Sequence, residues 1–109
     1  MSNFEHETLF NFSKSIFIKM GCSETHARTA AEVLLSADLR GVDSHGVARL
    51  SGYVRLWEKK RINAKPDIKI VHETPSTATV DGDAGLGLVV APYAMQLAIE
   101  KAKVAGTGW

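Results

Sequence analysis

Two runs of helical periodicity, each closed by a glycine, most strongly constrain the fold of this chain. From about residue 3 to residue 20, apolar side chains recur at the spacing of one helix face: Leu9, Phe12, Ile16 and Met20. Gly21 follows, and glycine commonly ends a helix because it enters the left-handed backbone region without steric cost. The pattern predicts a first helix whose apolar stripe faces a core.

A second helix is predicted from Ser23 to about Arg40. Ser23 can act as its N-cap, and Glu24 places an anion in the first turn, where the helix dipole favours one. Gly41 ends the run. Small residues in the interior allow close packing against another helix, and two leucines supply bulk: Ala27, Ala30, Ala31, Ala37, Leu34 and Leu35.

A third helix is predicted to begin near Ser44 and to reach about Lys59, with Asp43 or Ser44 as its N-cap. At 100° per residue, four apolar side chains fall within one sector: Val47, Leu50, Val54 and Trp57. This sector is the expected buried seam of the helix.

A separate stripe on this helix carries the side chains best suited to chemistry. His45, Arg49 and Tyr53 are spaced four residues apart, and Gly46 and Gly52 leave room beside them. A histidine exchanges a proton near neutral pH, an arginine binds a carboxylate through two parallel hydrogen bonds, and a tyrosine hydroxyl donates to an oxygen. We expect the electropositive first turn of the helix to make a proton on His45 easier to donate. The stripe suits a small 2-oxo or 2-hydroxy acid.

A structural role for the same residues stays open, because spacing alone does not decide between the two. His45 can cap the helix junction, Arg49 can pair with Asp38 or Asp43, and Tyr53 can be half-buried packing.

The second half of the chain is predicted to form a β-hairpin and one helix. Residues 68–73 and 77–81 alternate or are β-branched, and "TPS" makes the turn between them. After the glycine-rich "DGDAGLG", a fourth helix is predicted from about Val89 to Ala105, with Pro92 in its first turn and Gly106 as its cap. The fold class is therefore α+β, with a helical segment over residues 1–65 and the start of an α/β domain over residues 66–109.

Composition restricts the class of protein and its partners. The formal net charge is +1 over 109 residues, without the basic run that would bind nucleic acid or an anionic membrane surface. One cysteine permits no internal disulfide and indicates a reducing compartment, and the N-terminus has no secretory pattern, so we expect a cytoplasmic protein. The closing "VAGTGW" leaves Trp109 uncovered, so we expect these residues to be the N-terminal piece of a longer protein.

Other candidate sites are weaker. "GDAGLG" places glycines at 82, 85 and 87, which is not the order of the G-x-G-x-x-G dinucleotide fingerprint, so a tight turn is the better interpretation. Cys22 has no adjacent cation to activate it and is expected to be a packing residue. His6, His26 and His72 are too scattered to indicate a metal site, and the last two are expected at the surface or at a strand edge.

The stretches "LRGVDSHGVARL" and "VDGDAGLG" resemble the malate/L-lactate dehydrogenase family, and the resemblance covers nearly all 109 residues. This family is distinct from the classical Rossmann-type dehydrogenases and includes ureidoglycolate, sulfolactate and diketogulonate enzymes and a cyclic-imine reductase. The resemblance implies a larger non-Rossmann α/β dehydrogenase fold, a homodimer, and NAD or NADP as cofactor.

The resemblance also implies a role for each residue of the stripe. His45 matches the proposed acid/base and Ser44 the hydroxyl that orients it or relays its proton, while Arg49 and Tyr53 match residues that line the substrate pocket. Family members are about three times as long, and most cofactor contacts and a further active-site histidine or lysine follow the segment that ends at Trp109. We therefore expect residues 1–109 alone to be inactive.

Two rival functions remain open from the sequence. The first three helices can be a helix-turn-helix binding module, although the third helix offers few cations before Lys59. The chain can also be a non-catalytic dimerisation module. Malate and lactate are the leading substrates, but one arginine fits every 2-oxo acid, and the choice between NAD and NADP is not decided by these residues.

Overall fold

The computed structural model describes residues 2–109 as four α-helices and one two-stranded antiparallel sheet. The elements in chain order are α1 His6–Met20, α2 Glu24–Leu39, α3 Leu50–Glu58, β1 Lys69–Glu73, β2 Ala78–Asp81 and α4 Gly87–Ala105. The predicted α+β order of three helices, a hairpin and a helix is confirmed.

The connection between α1 and α2 forms as the sequence predicts. Gly21 has φ 109° and ends α1 in the left-handed region. Ser23 caps α2 by accepting a hydrogen bond from the His26 N–H at 3.1 Å. Lys14 and Glu24 form an ion pair across the connection, which joins the two helices at this end.

The core lies between α1 and α2 and extends to α3 and α4. The predicted small face of α2 is confirmed for the buried residues Ala27, Ala30, Ala31, Leu34 and Leu35, whereas Ala37 is only half-buried. Leu50 of α3 and Leu86 and Val89 near the start of α4 belong to the same apolar cluster. One core therefore unites residues from both halves of the chain.

The predicted stripe of α1 is wrong in part. Ser13, Phe17 and Met20 form the buried face, whereas Phe12 is 54% exposed. Ile16 is half-buried and packs against the edge of the core. The buried face is rotated because Phe17, which is fully buried, fills the space against the small residues of α2. The apolar periodicity of α1 alone does not reveal which helix packs against it.

The predicted third helix is also wrong at its start. Two short 3₁₀ turns, Asp43–His45 and Val47–Arg49, precede α3, which begins only at Leu50. Neither Asp43 nor Ser44 caps a helix with its side chain. The seam itself is confirmed, because Leu50 is buried and the other three predicted side chains pack against the core: Val47, Val54 and Trp57.

The hairpin and α4 form one unit. β1 pairs with β2 in antiparallel register, with an irregularity between Ile70 and His72. Lys101 of α4 holds the hairpin through Glu73 at 2.9 Å and the Thr74 carbonyl at 2.8 Å. After α4, the backbone of Trp109 exchanges hydrogen bonds with Ser76 and Ala78.

The fourth helix begins two residues earlier than predicted, at Gly87. Pro92 therefore lies inside α4 and not in its first turn. A proline there has no N–H to give to the carbonyl four residues before it, so the second turn of α4 is missing one hydrogen bond. Gly106 ends the helix with φ 89°, as expected.

None of the helices formed by residues 2–109 combines the length and the apolar composition that crossing a bilayer requires.

Candidate functional site

The segment between α2 and α3 brings a serine hydroxyl against a histidine ring. Ser44 Oγ lies 2.8 Å from His45 Nδ1, and both side chains are exposed. A hydrogen bond at Nδ1 fixes the ring orientation and leaves Nε2 for a ligand. His45 does not cap a helix, so the capping interpretation of this residue is wrong.

Arg49 is tied back to the same turn. Its Nε donates to the Ser44 carbonyl oxygen at 2.6 Å. Within residues 2–109, its two terminal nitrogens make no hydrogen bond or ion pair, so the expected pairing with Asp38 or Asp43 does not form. The terminal pair remains available for a carboxylate, which it can bind end-on through two parallel hydrogen bonds.

Asp38, on the last turn of α2, is hydrogen-bonded to the segment between α2 and α3. Its Oδ2 accepts a hydrogen bond from the Val47 N–H at 2.8 Å. The carboxylate lies so close to Gly46 that a Cβ there would collide with it. Gly46 therefore makes room for Asp38, and the expectation that it makes room for a substrate is wrong.

Tyr53 has a structural and an accessible side. Its ring packs against Phe17 with centroids 6.5 Å apart, and it belongs to the edge of the core. The same residue lines a surface groove together with Arg49 and Gly52. A Cβ on Gly52 would meet nothing within 4 Å, so the open space predicted at this position is confirmed.

His45 does not line that groove, so the predicted stripe is not a single surface. The 3₁₀ turns and the extended backbone of Gly46, with ψ −142°, break the 100° progression on which the stripe was built. The structure links His45 to Arg49 through Ser44, and Arg49 to Tyr53 through the groove.

The expected helix-dipole effect on His45 is also wrong. The electropositive end of a helix acts within its first turn, and α3 begins five residues after His45. Ser44 and the open surroundings of the ring are the features that remain to set its chemistry.

The glycine-rich segment after β2 is a tight turn, as predicted. Asp83 and Ala84 have φ 51° and 55°, and the Gly85 N–H donates to the Gly82 carbonyl at 2.9 Å, which describes a type I′ turn. A Cβ on Gly82 would lie 2.8 Å from Val90, so close packing also requires a glycine there.

This turn does not fit the phosphates of a dinucleotide. The Asp83 N–H is bonded to Asp81 and the Gly85 N–H to Gly82, so both donors are already used. Asp83 is bonded to Asn63 and to the Asp67 N–H, and the loop carries anionic side chains rather than cations. No residue of the turn is assigned to a cofactor.

Cys22 is a buried free thiol, as expected for a packing residue. Burial raises the pKa of the Cys22 thiol, which keeps it protonated and unreactive. His72 is exposed on β1 and His26 is half-buried in the first turn of α2. Among residues 2–109, no three histidine, cysteine or acidic side chains lie together as a metal site would require.

Two features of the site were missed in the sequence. The sequence indicates Asp38 only as a partner for Arg49, because its true partner Val47 is nine residues away and the periodicity predicts a helix where the structure has 3₁₀ turns. Three further cations line the groove beside Arg49: Arg55, Lys59 and Arg61. Helical spacing along α3 is enough to predict that Arg55 and Lys59 lie near Arg49. Arg61 reaches the groove only because the backbone turns back after the helix.

Comparison with known proteins places this arrangement in a family. The profile for malate/L-lactate dehydrogenase matches residues 4–109. L-sulfolactate dehydrogenase of Methanocaldococcus jannaschii is 51% identical over 90 residues, which are 83% of this chain and 26% of that protein. Malate dehydrogenase of Pyrococcus abyssi is 48% identical over 102 residues, which are 94% of this chain and 28% of that protein. The chain thus spans little more than a quarter of these curated relatives.

Solved structures agree with the sequence comparison. Malate dehydrogenase from Pyrococcus horikoshii OT3 superimposes with a TM-score of 0.94 at 44% identity, covering 98% of this chain and 31% of that one. Delta1-piperideine-2-carboxylate reductase from Pseudomonas syringae superimposes with a TM-score of 0.83 at 26% identity, covering 96% of this chain and 32% of that one. On both the matched profile and these similarities, the chain belongs to the malate/L-lactate dehydrogenase family.

Proposed function

We propose that this chain is part of an oxidoreductase that interconverts a small 2-hydroxy acid and its 2-oxo acid, of the malate or L-lactate type. The observation that carries the proposal is the hydrogen-bonded series from Arg49 through Ser44 to His45. It joins a cation suited to a carboxylate with a ring suited to proton transfer. Relatives named malate, sulfolactate and hydroxycarboxylate dehydrogenases support the same chemistry.

His45 is the proposed acid/base. In reduction, the imidazolium donates a proton from Nε2 to the carbonyl oxygen of the 2-oxo acid, and in oxidation the neutral ring removes the hydroxyl proton. Ser44 Oγ lies 2.8 Å from Nδ1, and this contact fixes the ring and leaves Nε2 for the substrate. The hydride is supplied or accepted by the nicotinamide cofactor, NAD or NADP, that a dehydrogenase of this family implies.

Arg49 and Tyr53 are the proposed substrate-binding residues. The two terminal nitrogens of Arg49 bind the carboxylate, while its Nε stays on the Ser44 carbonyl. The carbonyl that holds Arg49 belongs to the peptide bond between Ser44 and His45. The arginine therefore fixes the substrate carboxylate relative to His45, the proton donor. Tyr53 lines the groove beside Arg49 and places a hydroxyl for a substrate oxygen.

The test is the pH dependence of catalysis in the complete enzyme. His45→Ala should lower kcat for reduction of a 2-oxo acid by about 10²–10⁴-fold, the usual range for general acid–base catalysis. The alkaline limb of the kcat/KM profile should disappear, because that limb reports loss of the donated proton. His72→Ala, at an exposed histidine on β1, is the matched control and should keep the wild-type profile. A near-normal kcat with an unchanged alkaline limb in His45→Ala would assign the proton to another group.

The alternative is a non-catalytic helical dimerisation or binding module, in which His45 and Arg49 are structural. It predicts that substitutions of these residues change melting temperature and assembly but not turnover. The homodimer that the family resemblance implies is checked in the same preparations by light scattering.

A further inference from the structure

A groove along α3 carries four cationic side chains and no acidic one. Its volume is about 390 Å³, and its lining residues are Arg49, Gly52, Tyr53, Arg55, Leu56, Lys59 and Arg61. We call it the cationic groove. Within residues 2–109, none of the four cations takes part in an ion pair. Four like charges around one small space repel each other unless an anion occupies it.

The backbone after α3 brings the last of these cations into the groove. The Lys60 N–H donates to the Trp57 carbonyl at 2.8 Å and the Arg61 N–H to the Leu56 carbonyl at 2.9 Å. This pair of bonds reverses the chain at the helix end and folds Arg61 back beside Leu56. Lys60 takes the left-handed position of the motif with φ 59°, where glycine is the usual residue. The chain reversal therefore forms with backbone strain at Lys60.

We propose that the cationic groove binds the second acidic group of a dianionic 2-oxo or 2-hydroxy acid, with Arg61 as the specificity-determining residue. The proposal rests on the proposed function, in which Arg49 binds the carboxylate next to the reacting carbon. Because Arg49 lines the same groove, an acid group at the far end of a small substrate meets cations that the first carboxylate does not use. The volume is that of a small-molecule site.

Helix electrostatics provide the competing explanation. Cations near the C-terminus of a helix interact favourably with its dipole, and Arg55, Lys59 and Arg61 all lie there. In that case the three side chains affect only the stability of α3. They would not change which substrate the enzyme prefers.

The experiment compares oxaloacetate, which has two carboxylates, with pyruvate, which has one, in the complete enzyme. The wild type should prefer oxaloacetate. Arg61→Gln should lower kcat/KM for oxaloacetate by about 10- to 100-fold, the loss expected for a hydrogen bond to a charged group. It should change kcat/KM for pyruvate by less than about 2-fold, and Arg61→Lys should restore part of the preference because it restores the charge.

Lys60→Gly is the matched control. It removes a neighbouring cation but suits the left-handed position, so the turn is kept, the preference for oxaloacetate should be unchanged and the melting temperature should rise. A second control is Lys103→Gln, an exposed cation on α4 outside the groove.

Four outcomes would overturn this proposal alone, and a fifth would overturn the proposed function as well. Equal losses for both acids would show that Arg61 does not discriminate between them. A higher KM for NADH or NADPH with unchanged preference would assign the groove to cofactor phosphates. If Arg61→Gln changed only the melting temperature, the cations would act only by stabilising α3 through its dipole. A wild type inactive on every 2-oxo acid would overturn the proposed function itself, whereas an active wild type with an unaltered Arg61→Gln preference overturns this inference alone.

Discussion

The carboxylate of Asp38 occupies the space that a Cβ on Gly46 would need. It also accepts the Val47 N–H at 2.8 Å, so one side chain from α2 sets the path of the turn that follows His45. This contact connects the packing of α2 to the geometry of the candidate site.

Gly46→Ala should therefore be destabilising. The methyl group would displace Asp38, and we expect a loss of about 1–3 kcal/mol in the free energy of unfolding, as for other overpacked sites. Urea denaturation measures it. Gly52→Ala is the matched control, because a Cβ there meets nothing within 4 Å and alanine is the better helix former. An equal loss in both variants would contradict a specific clash with Asp38.

Substitution of Asp38 should separate its hydrogen bond to the Val47 N–H from its steric contact with Gly46. Asp38→Ala leaves the Val47 N–H without its partner and should cost about 1 kcal/mol, the typical value for a lost backbone cap. Asp38→Asn keeps an acceptor oxygen and should cost less. In the double variant Asp38→Ala/Gly46→Ala, the clash is gone, so the two losses should be less than additive. Strict additivity would show that the two residues do not interact.

Arg49→Lys should separate binding from stability. Lysine keeps the positive charge but loses the planar fork and the Nε bond to Ser44. We expect a strong rise in KM for the 2-oxo acid, with about 2–4 kcal/mol lost in transition-state binding, and an intact fold. Steady-state kinetics and thermal unfolding on the same preparation check this. A lower melting temperature with normal kinetics would favour a structural role.

The ion pair between Lys14 and Glu24 predicts a pH-dependent stability. The hydrogen bond from Lys14 lowers the pKa of the Glu24 carboxyl below its usual value. A lowered pKa in the folded state contributes stability above the ordinary glutamate pKa, and this contribution is lost as the pH falls through the folded value. Wild type should therefore melt higher than Glu24→Gln at neutral pH, by an amount that shrinks with acid and with added salt.

Glu32→Gln is the control for that comparison, because Glu32 is exposed on the same helix and no ion pair of residues 2–109 includes it. A constant difference between wild type and Glu24→Gln from neutral to acid pH would contradict the linkage. The same would follow if Glu32→Gln reproduced the whole effect.

Local backbone chemistry was readable from the sequence wherever one residue type decides the conformation. Gly21 and Gly106 end helices in the left-handed region, and Ser23 caps α2, because these effects depend on a residue and its immediate neighbours. The alanines of α2 predicted a close helix contact because their small side chains form one face of the helix, although the sequence does not show which element packs there. Residue type and spacing, together with the family resemblance, indicate four site residues, and their roles stay predictions: Ser44, His45, Arg49 and Tyr53.

Errors arose where a distant group competes with local periodicity. The count of 100° per residue assumed one continuous helix from Ser44, but Asp38 holds Val47 from another helix and the backbone runs through two 3₁₀ turns. Phe12 fitted the apolar stripe of α1, yet Phe17 fills the space against α2.

The sequence by itself determined the order of elements, their glycine ends, the small face of α2 and the family to which the chain belongs. Only the tertiary structure decided that Gly46 faces Asp38, that His45 lies in a 3₁₀ turn before α3, and that Arg61 joins Arg49 in one groove. The physical reason is the distance along the chain over which each interaction acts. Caps and propensities act over about four residues, whereas steric fit and hydrogen bonding between elements depend on which surfaces the fold brings together.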